Sequence, residues 1–67
     1  MNIRVNGEEQ QFAEGSLSLP ELIERLELSG QPVVVELNDQ ALLGKEIANT
    51  KIKNGDRIEI VRIVAGG

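Results

Sequence analysis

Ser18-Leu19-Pro20-Glu21-Leu22-Ile23-Glu24-Arg25-Leu26 carries the only strong helical signal in this chain. Leu19, Leu22, Ile23 and Leu26 fall at the i, i+3, i+4, i+7 spacing of one helical face. Ser18 with Glu21 three positions on reads as a capping box, and Leu17 with Leu22 as a hydrophobic staple. Pro20 sits in the first turn, where a missing N–H does no harm. Gly30 and Pro32 are expected to end the element.

Strand patterns lie on both sides of this helix. Before it, Ile3 and Val5 alternate with Asn2 and Arg4, Asn6-Gly7 is a pair that type I′ hairpin turns favour, and a second strand is expected through about Phe12. Glu14-Gly15-Ser16 then breaks the pattern. After the helix, Val33-Val34-Val35-Glu36-Leu37 predicts a third strand with Val33, Val35 and Leu37 on one face, and Asn38-Asp39 turns the chain. From 41 to 53, Leu42, Leu43, Ile47 and Ile52 are expected to anchor an irregular stretch with either a short strand or a helical turn. Asn54-Gly55-Asp56 is a further turn signal, and Arg57 to Ile63 reads as the last strand, with Ile58 and Ile60 on one face.

The helix must cross one face of a sheet to bury its stripe, and the last strand must join that sheet to bury Ile58 and Ile60. Placing the first and last strands side by side in the middle of a mixed sheet meets both demands. The expected fold is therefore α+β, a β-grasp with a mixed sheet of four to five strands and one main helix packed across one face.

Composition narrows what such a domain does. A chain of 67 residues buries only about 60% of its unfolded surface, so the core is small and leaves no room for an enclosed pocket of cofactor size. The chain has no cysteine and no histidine, which excludes disulfides, thiolate nucleophiles and cysteine-rich metal sites. Eleven acidic residues against seven basic give a net charge of −4 without a basic cluster or an aromatic platform, so no nucleic-acid partner is expected. No apolar run is long enough for a signal peptide or a membrane span, and the expected location is the cytoplasm, with no membrane partner.

The sequence closes on Ile63-Val64-Ala65-Gly66-Gly67. Glycine at a strand end adds no packing and raises the entropy lost on ordering, and two glycines in the last two places arise by chance in only about 0.5% of chains. Residues 1–63 are thus expected to form the β-grasp domain and 64–67 a flexible diglycine tail. Val61 and Ile63 alternate opposite to Ile58 and Ile60, so with Val34 they are expected to form a small apolar patch near that tail; scattered surface apolar residues are the plainer alternative. Arg62, Glu8 and Glu9 are expected to be solvated. Asn38, Asp39 and Asp56 are expected to satisfy turn backbone groups rather than to form a cation site.

Across essentially its whole length the chain resembles the ThiS-type sulfur carriers of thiamin thiazole synthesis, which share the ubiquitin-like β-grasp fold. The resemblance is carried by the Asn6-Gly7 hairpin, the helix from Leu19 to Leu28, the strand from Val33 to Asn38, Asn54-Gly55-Asp56, and the tail from Ile58 to Gly67. Its most specific part is the Gly-Asp turn about a dozen residues before the terminal diglycine. The family implies a carrier and not an enzyme, without catalytic residues or a bound cofactor of its own. An ATP-dependent E1-like activating enzyme adenylylates the carboxylate of the last glycine, here Gly67. A sulfur donor such as a cysteine desulfurase system converts it to a thiocarboxylate, and thiazole synthase receives the sulfur.

The tail permits that chemistry. A terminal carboxylate has a pKa of roughly 3.3 to 3.7, so it is anionic at neutral pH and resists a sulfur nucleophile until coupling to AMP supplies a leaving group. Val64, Ala65, Gly66 and Gly67 extend at most about 13 to 14 Å, enough to thread a partner's channel while the folded body stays outside. Related carriers dock through the face beside the tail, which makes Val34, Val61 and Ile63 the docking candidates. Many relatives carry an aromatic residue in this strand, whereas this chain has Val61 and Ile63. Two other carriers with a diglycine end remain open, the small-subunit type of molybdopterin synthase and a ubiquitin-like protein modifier, as does a passive interaction domain.

Overall fold

The computed structural model describes residues 1–64. Nine elements follow one another: β1 (Asn2–Val5), β2 (Glu8–Gln11), β3 (Ser16–Ser18), α1 (Leu19–Arg25), β4 (Val33–Leu37), β5 (Gln40–Leu42), α2 (Gly44–Ala48), β6 (Lys51–Lys53) and β7 (Arg57–Arg62). Five strands form one mixed sheet in the order β2-β1-β7-β4-β5, and β3 pairs with β6 in a separate two-stranded sheet. The first and last strands lie side by side and parallel, with Arg4 beside Arg57 and Val5 beside Ile58. This is the α+β β-grasp arrangement the sequence predicts.

Two-residue turns set the registers of both hairpins in the large sheet. Asn6 and Gly7 have φ of 51° and 85°, the left-handed pair that a type I′ turn requires, and they hold Val5 opposite Glu8. Asn38 and Asp39, at 50° and 70°, do the same between Leu37 and Gln40. Because side chains alternate along a strand, these registers aim Ile3, Val5, Val35, Ile58 and Ile60 at the same side. There they pack with Leu19, Leu22 and Ile23 of α1 and with Ile52 of β6.

Ser18 caps α1, its hydroxyl accepting from the Glu21 N–H at 3.2 Å, but the expected capping box is half made, since the Glu21 carboxylate lies 3.8 Å from Arg25 instead. The helix stops at Arg25, well before Gly30. Glu27 takes the left-handed conformation (φ 61°), Leu28 N–H donates to Ile23 C=O and Glu27 N–H to Glu24 C=O, each at 3.0 Å. These are the paired bonds of a Schellman ending, with a glutamate where glycine is usual. Leu28 then folds back as a partly buried neighbour of the core, and Gly30 serves the following loop.

The stretch from 41 to 53, open between strand and helical turn, contains both. Leu42 and Ile47 pack against the core and Ile52 lies fully inside it, but Leu43 anchors nothing: it is 74% exposed at the entry to α2. There its N–H donates to the Glu46 carboxylate at 2.8 Å. The strand β3 has no counterpart in the sequence expectation; Ser16, Leu17 and Ser18 pair with Lys53, Ile52 and Lys51. That pairing buries Leu17 and leads the chain directly into α1.

Candidate functional site

The site is built around the end of β7. Its near end is fixed by Asp56, only 6% exposed, whose Oδ2 accepts from Lys53 N–H at 2.9 Å and whose Oδ1 accepts from Asn38 Nδ2 at 3.1 Å. Asn38 Oδ1 in turn accepts from Arg57 N–H at 2.9 Å. Asn38 and Asp56 therefore join the turn before β7 to the turn after β4, and both carboxylate oxygens of Asp56 are occupied. Among the described residues no group of three or more His, Cys, Asp or Glu is placed to hold a metal ion.

Further along β7, Asn6 does more than make a turn. Its Oδ1 accepts from Ile60 N–H at 2.8 Å and its Nδ2 donates to Ile60 C=O at 3.1 Å. The carboxamide so replaces a backbone peptide after β1 has turned away. The sequence reading of Asn6-Gly7 as a hairpin signal missed this second role, and nothing local to the pair announces it.

With Ile58 and Ile60 buried against the helix, Val61 and Ile63 face the other way. Val61 is 60% exposed, Ile63 50% and Val34 46%. Val34 is the register partner of Val61, and Ile63 N–H donates to Pro32 C=O at 2.9 Å, which carries the pairing one residue past the strand. The structure thus brings Val34, Val61 and Ile63 together on the uncovered face, and Val64, the last described residue, is 74% exposed. The tail residues Ala65, Gly66 and Gly67 lie outside the described residues.

Away from this patch the same face is polar. Glu36 pairs in register with Glu59, and Arg4 with Arg57. The arginines reach outward to Glu9 (3.9 Å) and Asp39 (2.9 Å). These pairs are exposed and contribute little stability. Arg62 points its guanidinium to Gln31 Oε1 at 3.1 Å and is exposed, as expected of it.

At the other end of the molecule, Arg25 lies over the Phe12 ring, 5.9 Å from its centre, and ion-pairs with Glu14. Its hydrogen bonds hold the Glu14 carboxyl below the usual carboxylate range, and Glu14 holds the guanidinium above its own. The Met1 ammonium ties down the same loop through Phe12 C=O (2.6 Å) and Glu14 C=O (2.9 Å). This cluster braces the fold on the side away from the apolar patch. What the patch offers is contact area beside a chain end, with no nucleophile or base of its own.

The model of the ThiS family matches residues 3–67. The sulfur carrier protein ThiS of Thermus thermophilus is 35% identical over 63 residues, which cover 94% of this chain and 95% of that protein. A thiazole synthase of Paramagnetospirillum magneticum is 31% identical over 67 residues; this chain spans 20% of its length. The crystal structure of a thiamine biosynthesis protein (ThiS) from Geobacter metallireducens superposes with a TM-score of 0.85 at 33% identity, each chain covered completely. The likeness runs from the first strand through the diglycine, and the chain belongs to the ThiS family.

Proposed function

We propose that this chain carries sulfur for thiazole formation in thiamin biosynthesis, as a co-substrate of partner enzymes in the cytoplasm and not as a catalyst. The observation that carries this reading is the family match, which runs through Gly67 and includes the diglycine. The Gly67 carboxylate attacks the α-phosphorus of ATP in an E1-like activating enzyme and pyrophosphate leaves. A persulfide from a donor such as a cysteine desulfurase system then displaces AMP to give an acyl persulfide, and a thiol of the partner system attacks the outer sulfur of that S–S bond, leaving a C-terminal thiocarboxylate and a disulfide on the partner. The Paramagnetospirillum thiazole synthase, part of which is similar to this chain, supports thiazole synthase as the acceptor.

Each part of the molecule has a task in this reading. Gly67 holds the sulfur, Gly66 keeps the thread slim with backbone freedom, and Ala65 and Val64 connect it to the fold. Val34, Val61 and Ile63 dock the body, since a contiguous apolar patch beside the reactive end fits a partner surface. ATP and the sulfur donor are bound by the partners.

Incubation with ATP, a thiamin-pathway activating enzyme and a sulfur donor is expected to replace one oxygen of the chain by sulfur, read by intact mass. Removal of Gly67 is expected to abolish the change and Gly66→Ala to slow it. An unchanged mass with an activating system that modifies its own carrier, or sulfur delivery that survives loss of Gly67, refutes the proposal.

A further inference from the structure

Hydrogen bonding along β7 changes sides with every residue. Toward β4, Arg57 C=O accepts from Asn38 N–H at 2.8 Å and Ile63 N–H donates to Pro32 C=O at 2.9 Å, so the odd-numbered residues face that neighbour. Toward β1, Asp56 C=O accepts from Arg4 N–H at 3.0 Å and Ile58 C=O from Asn6 N–H at 2.9 Å, so the even-numbered residues face the other way. Ile60 is the last of these with a partner, the Asn6 carboxamide.

Arg62 is the next even residue. The chain has already turned off at Gly7, and among the described residues no group bonds to the Arg62 N–H or C=O. Its side chain donates to Gln31 Oε1 at 3.1 Å. A Cβ added at Gly7 would meet nothing within 4 Å.

The outer edges of the sheet are guarded differently. β2 exposes Glu8, Glu9 and Gln11, and β5 is three residues long, both ordinary ways of discouraging strand addition. The notch beside Arg62 is guarded only by the exposed side chain of Arg62 itself, which turns to Gln31. It is also continuous with the apolar patch, because Val61 and Ile63 flank it.

We propose that the notch takes an extended segment of the activating enzyme, which adds to the sheet as a short strand by bonding to the main chain of Arg62. An unpaired strand edge is matched by another extended backbone, and such bonds depend little on side-chain identity. The pairing extends the sheet beyond Asn6 and holds the chain straight as it enters the enzyme. The inference rests on the carrier reading above and adds the mode by which the partner grips the tail.

Arg62→Pro tests it, since proline removes an N–H that no described residue uses and leaves Val61 in the extended region it already occupies. Arg62→Ala is the control for the side chain. With a thiamin-pathway activating enzyme and ATP, Arg62→Pro is expected to adenylylate with kcat/KM about 3- to 10-fold below Arg62→Ala, the worth of one backbone hydrogen bond. In the wild-type chain the Arg62 amide is expected to exchange quickly when free and to be protected in the complex. Equal rates for the two variants together with unprotected Arg62 in the complex overturn the inference while leaving the carrier function standing. No adenylylation of the wild-type chain overturns both.

Discussion

The carboxamide of Asn6 grips Ile60 at both its N–H and its C=O, at 2.8 Å and 3.1 Å. Asn6→Gly keeps the positive φ and loses both bonds, and is expected to cost about 1–2 kcal/mol of stability. Asn6→Ala adds the strain of a left-handed alanine, about 1 kcal/mol more. Urea unfolding should therefore rank wild type above Asn6→Gly and Asn6→Gly above Asn6→Ala.

Asn38 and Asp56 bond in a fixed direction, because Asn38 spends its oxygen on Arg57 N–H and its amide on Asp56. Asp56→Asn sets two donors against each other, and is expected to lose about 1–3 kcal/mol. Asn38→Asp combined with Asp56→Asn reverses the bond between the side chains and keeps the acceptors for Arg57 N–H and Lys53 N–H. The double variant should recover most of the loss, measured as a coupling energy in a double-mutant cycle.

Glu27 is an exposed glutamate in a left-handed conformation. Glu27→Gly is expected to stabilise the protein by about 0.5–1 kcal/mol, seen as a higher unfolding midpoint. A lower midpoint would mean that the side chain contributes more than the backbone strain removes.

Arg25 lowers the Glu14 pKa in the folded chain, so the folded state binds this proton less readily than the unfolded one. The resulting stabilisation is present above the ordinary glutamate value, about 4.3, and is lost as pH falls through the lower folded value. The stability difference between wild type and Glu14→Gln should accordingly shrink on acidification below that range. Both groups are solvent-accessible, so the effect is small and weakens with salt.

Val61→Asp places a charge in the middle of the apolar patch at a position already 60% exposed. Stability should change by less than about 0.5 kcal/mol, the usual range at exposed sites. Capture of the chain by the activating enzyme, followed by surface plasmon resonance, should weaken at least tenfold. Val34→Asp should act in the same direction, because it faces Val61 across the strands.

Much of this organisation was legible beforehand because it depends on local patterns. Alternation in Ile58–Ile63 separates a buried from an uncovered face, Asn6-Gly7 marks a hairpin, and Asn38-Asp39 marks a turn. The end of α1 was misread because Glu27 occupies a position where sequence rules look for glycine; tertiary packing of Leu28 overrides that preference. β3 has no counterpart in the sequence pattern, and β6 falls in a stretch where the pattern leaves strand and helical turn open. Three-residue strands have too few alternations to register, and their pairing depends on contacts between residues 16–18 and 51–53. The long-range role of Asn6 was equally invisible, since its partner lies 54 residues away.

The position of β7 also has a mechanical consequence. It lies between β1 and β4, so a pull on the chain beyond Val64, directed along the strand, loads the hydrogen bonds of two neighbours in shear. Bonds that cross the pulling direction resist together, whereas those of an edge strand peeled sideways fail one after another. A partner that draws the chain end into a narrow channel is then hauling on the best-anchored strand of the molecule, and the carrier can be tugged without being unravelled.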